Sequence, residues 1–120
     1  MKGDQKIKKL YDISQILSVS RGDKGFVQTM TKMFVVQTPL YIEKITKYFE
    51  EGNLVEMGEE AHKLKPSIYA MGIQELKKTI AEIVNAGRNN ESNQDLALHI
   101  KKLNEYTAKV ILELKADFDI

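Results

Sequence analysis

The chain has no cysteine, only two prolines and no long hydrophobic run. The absence of cysteine excludes disulfide bonds, thiolate zinc ligands and a cysteine nucleophile, and it fits a reducing compartment. No window approaches the roughly twenty apolar residues that span a bilayer. The first residues, MKGDQKIKKLYD, are basic but lack the apolar core of a signal peptide. We therefore expect a soluble, cytoplasmic protein that does not enter a membrane.

The chain also lacks an excess of charge of either sign. Eighteen basic residues against 17 acidic ones leave a formal charge of +1, so no global field would attract nucleic acid. The two histidines, His62 and His99, are too far apart in the chain to suggest a metal site. The length of 120 residues, with 42% hydrophobic and 29% charged residues, is typical of one globular domain spanning residues 1–120.

Helical spacing of apolar residues dominates the sequence, and strict alternation is absent, so we predict an all-α fold. A short opening helix is expected from Tyr11 to Leu17, and the turn SRGDKG ends it. The second helix is expected to present a broad apolar face with Phe26, Met30, Met33 and Gln37, flanked by Val27 and Phe34. At QTPL, Thr38 can cap a third helix that runs to Gly52, with Pro39 in its first turn; a single kinked helix is the alternative.

The second half of the chain has clearer helix signals. Asn53, followed three residues later by Glu56, predicts the start of a fourth helix that ends at Gly72. A fifth helix follows and closes near NAGRNNESN, and a last helix runs from about Gln94 to Phe118. The expected buried positions of the fourth helix are Leu54, Met57, Ala61, Leu64, Ile68 and Met71. Those of the fifth helix are Ile73, Leu76, Ile80 and Ile83. Those of the last helix are Leu96, Ile100, Leu103, Thr107, Val110, Ile111, Leu114 and Phe118.

The connections between these amphipathic helices are short, which favours antiparallel neighbours. We therefore predict an up-and-down antiparallel four-helix bundle with one or two additional short N-terminal helices, acting as a monomer.

The fourth helix carries the candidate site. Beside its buried face, helical spacing aligns Gly58, His62, Lys65, Pro66 and Tyr69 in one stripe. His62 directly follows a buried position, so we expect its side chain on the flank of the helix and in reach of water.

An exposed imidazole that is neutral can act as a nucleophile near pH 7. If His62 accepted a phosphoryl group, Lys65 one turn further on could offset the added negative charge. Glu59 would oppose that charge, but it can pair with Lys63 at the i+4 position. Pro66 removes the backbone N–H that would bond the His62 carbonyl, and its compact ring leaves space beside the imidazole.

These features also have an ordinary interpretation. A single histidine on a helix flank is commonly a plain surface residue, and Tyr69 is consistent with simple packing at the edge of the bundle. We expect His99, next to a buried position on the last helix, to be structural or a surface residue.

The stretch AHKLKPSIYAMG resembles the signature of histidine-containing phosphotransfer (HPt) domains. In that pattern Ala-His-x-Leu-Lys-Gly-Ser is followed a few residues later by glycine, and the positions that match are Ala61, His62, Leu64, Lys65, Ser67 and Gly72. RGDKGFVQTMTKMFVVQTPLYIEKI and ELKKTIAEIVNAGR are similar to the segments on either side of the family's histidine helix. The departure is Pro66, where the family usually has glycine.

The resemblance implies a relay protein rather than a self-sufficient enzyme. His62 would be the phosphoacceptor and Lys65 would stabilise the phosphoryl group, while Gly58, Glu59, Lys63, Pro66 and Tyr69 would contact the partner. The partners would be receiver domains of hybrid sensor kinases and response regulators. This chain would need no cofactor, because the Mg²⁺ and the aspartate belong to the receiver. The alternative is a degenerate HPt-like helical adaptor that binds a receiver or a partner helix without phosphotransfer.

Overall fold

A computed structural model describes residues 9–120, and within this range it contains five α-helices and no strand. Their bounds are α1 Ser14–Ser20, α2 Lys24–Glu50, α3 Leu54–Ala70, α4 Gln74–Asn89 and α5 Gln94–Phe118. The prediction of an all-α fold is confirmed for the described residues. None of these helices is long and apolar enough to cross a membrane.

The first helix begins three residues later than expected, at Ser14 rather than Tyr11. The backbone N–H of Asp12 is engaged elsewhere, because it donates to the Met71 carbonyl at 2.9 Å. The carboxylate of Asp12 accepts from the Ser14 N–H at 2.9 Å and so satisfies a free donor at the helix start. Asp12 therefore links the start of α1 to the end of α3.

The predicted boundary at QTPL is wrong, because α2 is continuous from Lys24 to Glu50 with Pro39 inside it. Thr38 is 1% exposed and lies in the core rather than capping a new helix. Pro39 is exposed, so water can reach the carbonyl that loses its usual helical donor. The alternative of one long helix is the structure observed, and within residues 9–120 it leaves a single short helix, α1, before α2.

The predicted buried face of the second helix is correct only for its flanking residues Val27 and Phe34, which are buried. Phe26 is 41% and Met33 44% exposed, and Gln37 lies on the surface. The face that enters the core is offset by about one residue, and its members are Val27, Thr31, Phe34, Thr38, Ile42 and Ile45.

The ends and buried faces of the last three helices agree with the prediction. The Asn53 side chain caps α3 by accepting from the Glu56 N–H at 3.4 Å. Gly72 has a left-handed φ of 61°, which suits glycine after a helix. All predicted inner positions of α3 and α4 are buried, and in α5 only Ile111 and Phe118 are half-buried.

The core lies between the four long helices. Helix α3 packs against α2 on one side and α4 on the other, while α5 packs against α4 and α2. Two residues shortly before α1 contact the end of α5: the Tyr11 hydroxyl donates to the Asp117 carboxylate at 2.6 Å, and Lys9 forms a 2.9 Å ion pair with the same group. This packing holds α3 along its buried face and leaves its flank open.

Candidate functional site

His62 lies in the middle of α3 with its side chain exposed. Ala61 and Leu64 on the same helix are 0% and 1% exposed, so packing of the inner face sets the direction in which the imidazole points. Pro66 is inside the helix and exposed, and it leaves the His62 carbonyl without its i+4 donor. The predicted position of His62 on the helix flank is confirmed.

A shallow depression of about 360 Å³ opens beside the imidazole, between α3 and α4. Its floor is formed where the two helices come closest, at Gly58 and Gly87. A Cβ atom on Gly58 would lie 2.7 Å from the Gly87 Cα, which is too close for any side chain. The remaining lining residues are Val55, Glu59, His62, Val84 and Arg88.

Arg88 is the candidate functional residue that the sequence prediction missed. It is exposed in the last turn of α4 and lines the same depression as His62. The sequence predicted that this helix closes near NAGRNNESN, and α4 ends within that stretch, at Asn89. The close crossing of the two helices brings Arg88 into the lining of the depression that His62 also lines. A guanidinium is suited to bind the oxygens of a phosphoryl group.

The second candidate cation, Lys65, is half-buried one turn beyond His62. Its ammonium lies 5.6 Å from the centre of the Tyr69 ring, within the range of a cation–π contact. Lys77 of α4 approaches the same ring at 5.1 Å. Tyr69 is 37% exposed, so part of the ring faces water between the two lysines.

Lys63 pairs with a different carboxylate from the one we predicted. Its ammonium lies 3.2 Å from Glu60, and this hydrogen bond raises the pKa of Lys63. Glu60 is only 7% exposed, so the ion pair covers an acidic group at the edge of the core. Glu59 is exposed and lines the same depression as His62, to which it adds a negative charge.

Of the five residues predicted to contact a partner, Gly58 is placed differently from the others. It is buried in the crossing of α3 and α4, so it can act only by allowing the helices to approach. Glu59, Lys63 and Pro66 are exposed, and Tyr69 is partly so.

Two exposed apolar side chains of α2 flank α3 on the side away from α4. Met33 lines a small cavity with Ser67, and Leu40 lines another with Lys63. The exposed fractions of these side chains are 44% and 57%.

His99 has no comparable setting, because it is half-buried on α5. In residues 9–120, no group of three or more histidine, aspartate and glutamate side chains is arranged to hold a metal ion. The arrangement around His62 offers one accessible nucleophile and nearby cations, which suits transient attachment of an anionic group.

The chain is similar to the phosphorelay intermediate protein YPD1 of Candida albicans, with 29% identity over 92 residues. The similarity covers 70% of this chain and 50% of that protein, so the chain spans about half of the length of its curated relative. No protein-family model matches the chain, and no solved structure matches it. The similarity to YPD1 supports the HPt resemblance that AHKLKPSIYAMG carries.

Proposed function

We propose that this chain is a histidine phosphotransfer protein that relays a phosphoryl group between receiver-domain aspartates through a phosphohistidine at His62. The observation that carries the proposal is the exposed His62 on α3, with Arg88 in the same depression. The similarity to a phosphorelay intermediate adds support from outside the site.

The proposed transfer begins with an aspartyl phosphate on the receiver. The unprotonated ring nitrogen of His62 attacks phosphorus, so that an N–P bond forms while the bond from phosphorus to the aspartate oxygen breaks. The aspartate leaves as a carboxylate with the bonding electron pair, and the second ring nitrogen keeps its proton. Mg²⁺ belongs to the receiver and neutralises the phosphoryl oxygens there. The reverse reaction passes the group to another receiver.

Cations of this chain would stabilise the phosphohistidine. Arg88 can reach the phosphoryl oxygens from α4, across the depression, and Lys65 can reach them along α3. Their positive charges oppose the effect of Glu59, which lines the same depression. The chain thus supplies the acceptor and two cations, and the receiver supplies the rest of the chemistry.

The receiver would dock over the exposed flank of α3. Pro66 and Lys63 are exposed near His62, and Met33 and Leu40 extend the surface with apolar contacts from α2. The compact Pro66 ring would leave room for the receiver's active-site loops.

The remaining parts of the proposal concern architecture and location. The connections between the four long helices have three, three and four residues, which supports an up-and-down antiparallel bundle. We propose that the protein acts as a monomer in the cytoplasm.

Incubation with a phosphorylated receiver of the same cell tests the proposal. Label should appear on the protein, be acid-labile and alkali-stable, and be lost in His62→Gln. The matched control is His99→Gln, which should be labelled like the wild type. Receiver binding without any label on the wild type would instead support the adaptor function.

A further inference from the structure

The Lys65 ammonium, which is proposed to assist His62, contacts the ring of Tyr69. Tyr69 follows Lys65 by four residues, whereas His62 precedes it by three. At 1.5 Å of rise per residue, His62 and Tyr69 are about 10 Å apart along the axis of α3. The Lys65 ammonium lies 5.6 Å from the centre of the Tyr69 ring, so it is engaged by a residue on the side of Lys65 away from His62.

No carboxylate competes for this ammonium. Among the described residues, neither Lys65 nor Lys77 forms a salt bridge, and both ammonium groups approach Tyr69. The ring face is the electron-rich surface that attracts them. Because Lys77 is on α4, it can remain beside the ring when Lys65 leaves.

We propose that Tyr69 is a positioning residue that holds the Lys65 ammonium in the unphosphorylated protein and releases it when His62 is phosphorylated. This inference rests on the function proposed above. Binding to the ring stabilises only the unphosphorylated state, so it lowers the equilibrium yield of phosphohistidine. A cation–π contact at an exposed site corresponds to about a two- to fivefold effect on this equilibrium.

Nuclear magnetic resonance tests the resting contact without any receiver. The ring current of Tyr69 should shift the ε-methylene protons of Lys65 upfield in the free protein. This shift should be lost in Tyr69→Leu and kept in Tyr69→Phe, which retains the aromatic face. It should also decrease when His62 is phosphorylated with phosphoramidate, a small-molecule donor. An unshifted Lys65 signal in the wild type would overturn the proposal.

The equilibrium constant for phosphotransfer tests the consequence. It compares free proteins at the end of the reaction, so it does not depend on how a variant changes docking. The receiver is phosphorylated with acetyl phosphate. Tyr69→Leu should then raise the equilibrium constant for phosphohistidine formation about two- to fivefold, and Tyr69→Phe should not. In a Lys65→Gln background, Tyr69→Leu should have no effect. Lys78→Gln, on the exposed surface of α4, controls for loss of one positive charge.

The NMR measurement and the equilibrium constant together separate failure of this inference from failure of the proposed function. Equal equilibrium constants for Tyr69→Leu and wild type would overturn the role of Tyr69 but not the proposed function. The same holds if Tyr69→Leu still changes the equilibrium constant in the Lys65→Gln background. A wild-type protein that accepts no phosphoryl group from any receiver would contradict the proposed function, while the shift of the Lys65 protons would still report the resting contact.

Discussion

Replacing Gly87 with alanine should push α3 and α4 apart beside His62 and destabilise the protein by about 1–2 kcal/mol. The new Cβ would lie 2.5 Å from the Gly58 Cα, 2.8 Å from the Leu54 carbonyl oxygen and 2.9 Å from the Gly58 nitrogen. All three are backbone atoms, so rotation of a side chain cannot relieve the overlap. Ordinary contact begins near 3.4 Å, and the helices must therefore separate by about 0.9 Å at this point.

Two opposing contributions determine the magnitude. Overpacking of a tight contact costs about 1–3 kcal/mol. Alanine in a helix gains about 0.5–1 kcal/mol over glycine, which offsets part of that cost. The overlap at Gly87 involves three atoms on the facing helix, so we expect the packing cost to exceed the gain.

Urea unfolding followed by circular dichroism measures the effect. Gly87→Ala should unfold at a lower urea concentration with an unchanged m value. Gly25→Ala is the matched control, because Gly25 is exposed in the first turn of α2 and a Cβ there would meet the exposed Asp23 carboxylate, which caps α2, at 3.3 Å rather than the backbone of a facing helix. Its stability should change by less than about 1 kcal/mol. A Gly87→Ala protein as stable as the wild type would refute the close crossing.

Three further variants test the helix faces and the N-terminal contacts. Leu64→Ala should lose about 2–5 kcal/mol of unfolding free energy, since Leu64 is 1% exposed. Lys65→Ala should change stability by less than about 0.5 kcal/mol and slow phosphotransfer; reversed effects would mean that the helix faces are misassigned. The hydrogen bond from Tyr11, then that from Lys9, holds the pKa of Asp117 below its usual value of about 4. This stabilisation is present above the unfolded pKa of about 4 and is lost as the pH falls through the lowered pKa of the folded protein, so thermal unfolding should show Asp117→Asn less stable than the wild type at pH 7 and the difference should shrink at low pH. An equal difference at both pH values would exclude the carboxylate as the cause.

The later helices were predictable because local and tertiary preferences agree there. Asn53 caps α3 and Gly72 ends it in the left-handed conformation, and the apolar spacing between them matches the buried face. The N-cap at Asn93 similarly marks the start of α5, where the side chain accepts from the Leu96 N–H at 3.0 Å. The flank position of His62 followed from this spacing alone.

The α2 helix was not predictable in the same way. Its buried face contains polar residues: Thr31 is buried because its hydroxyl donates to the Val27 carbonyl at 2.8 Å. Counting apolar residues therefore favoured the neighbouring stripe with Phe26 and Met33, which is partly exposed. Whether Pro39 interrupts a helix depends on which face is solvated, and the local sequence does not contain that information.

Part of the candidate site also depends on tertiary structure. Arg88 is 26 positions from His62 in the chain, and the two share a depression only because two glycines allow α3 and α4 to cross closely. The contact of Lys77 with Tyr69 similarly joins two helices. Motif spacing along α3 can reveal His62 and Lys65, but not the groups that a neighbouring helix contributes.

The position of the phosphoryl group after transfer from a receiver tests the central claim most directly. Mass spectrometry of the labelled protein, digested at alkaline pH to preserve phosphohistidine, locates the modification. We predict that it lies on His62 and that His99 is unmodified. A phosphoryl group on any other residue, with His62 unmodified, would contradict the proposed relay function.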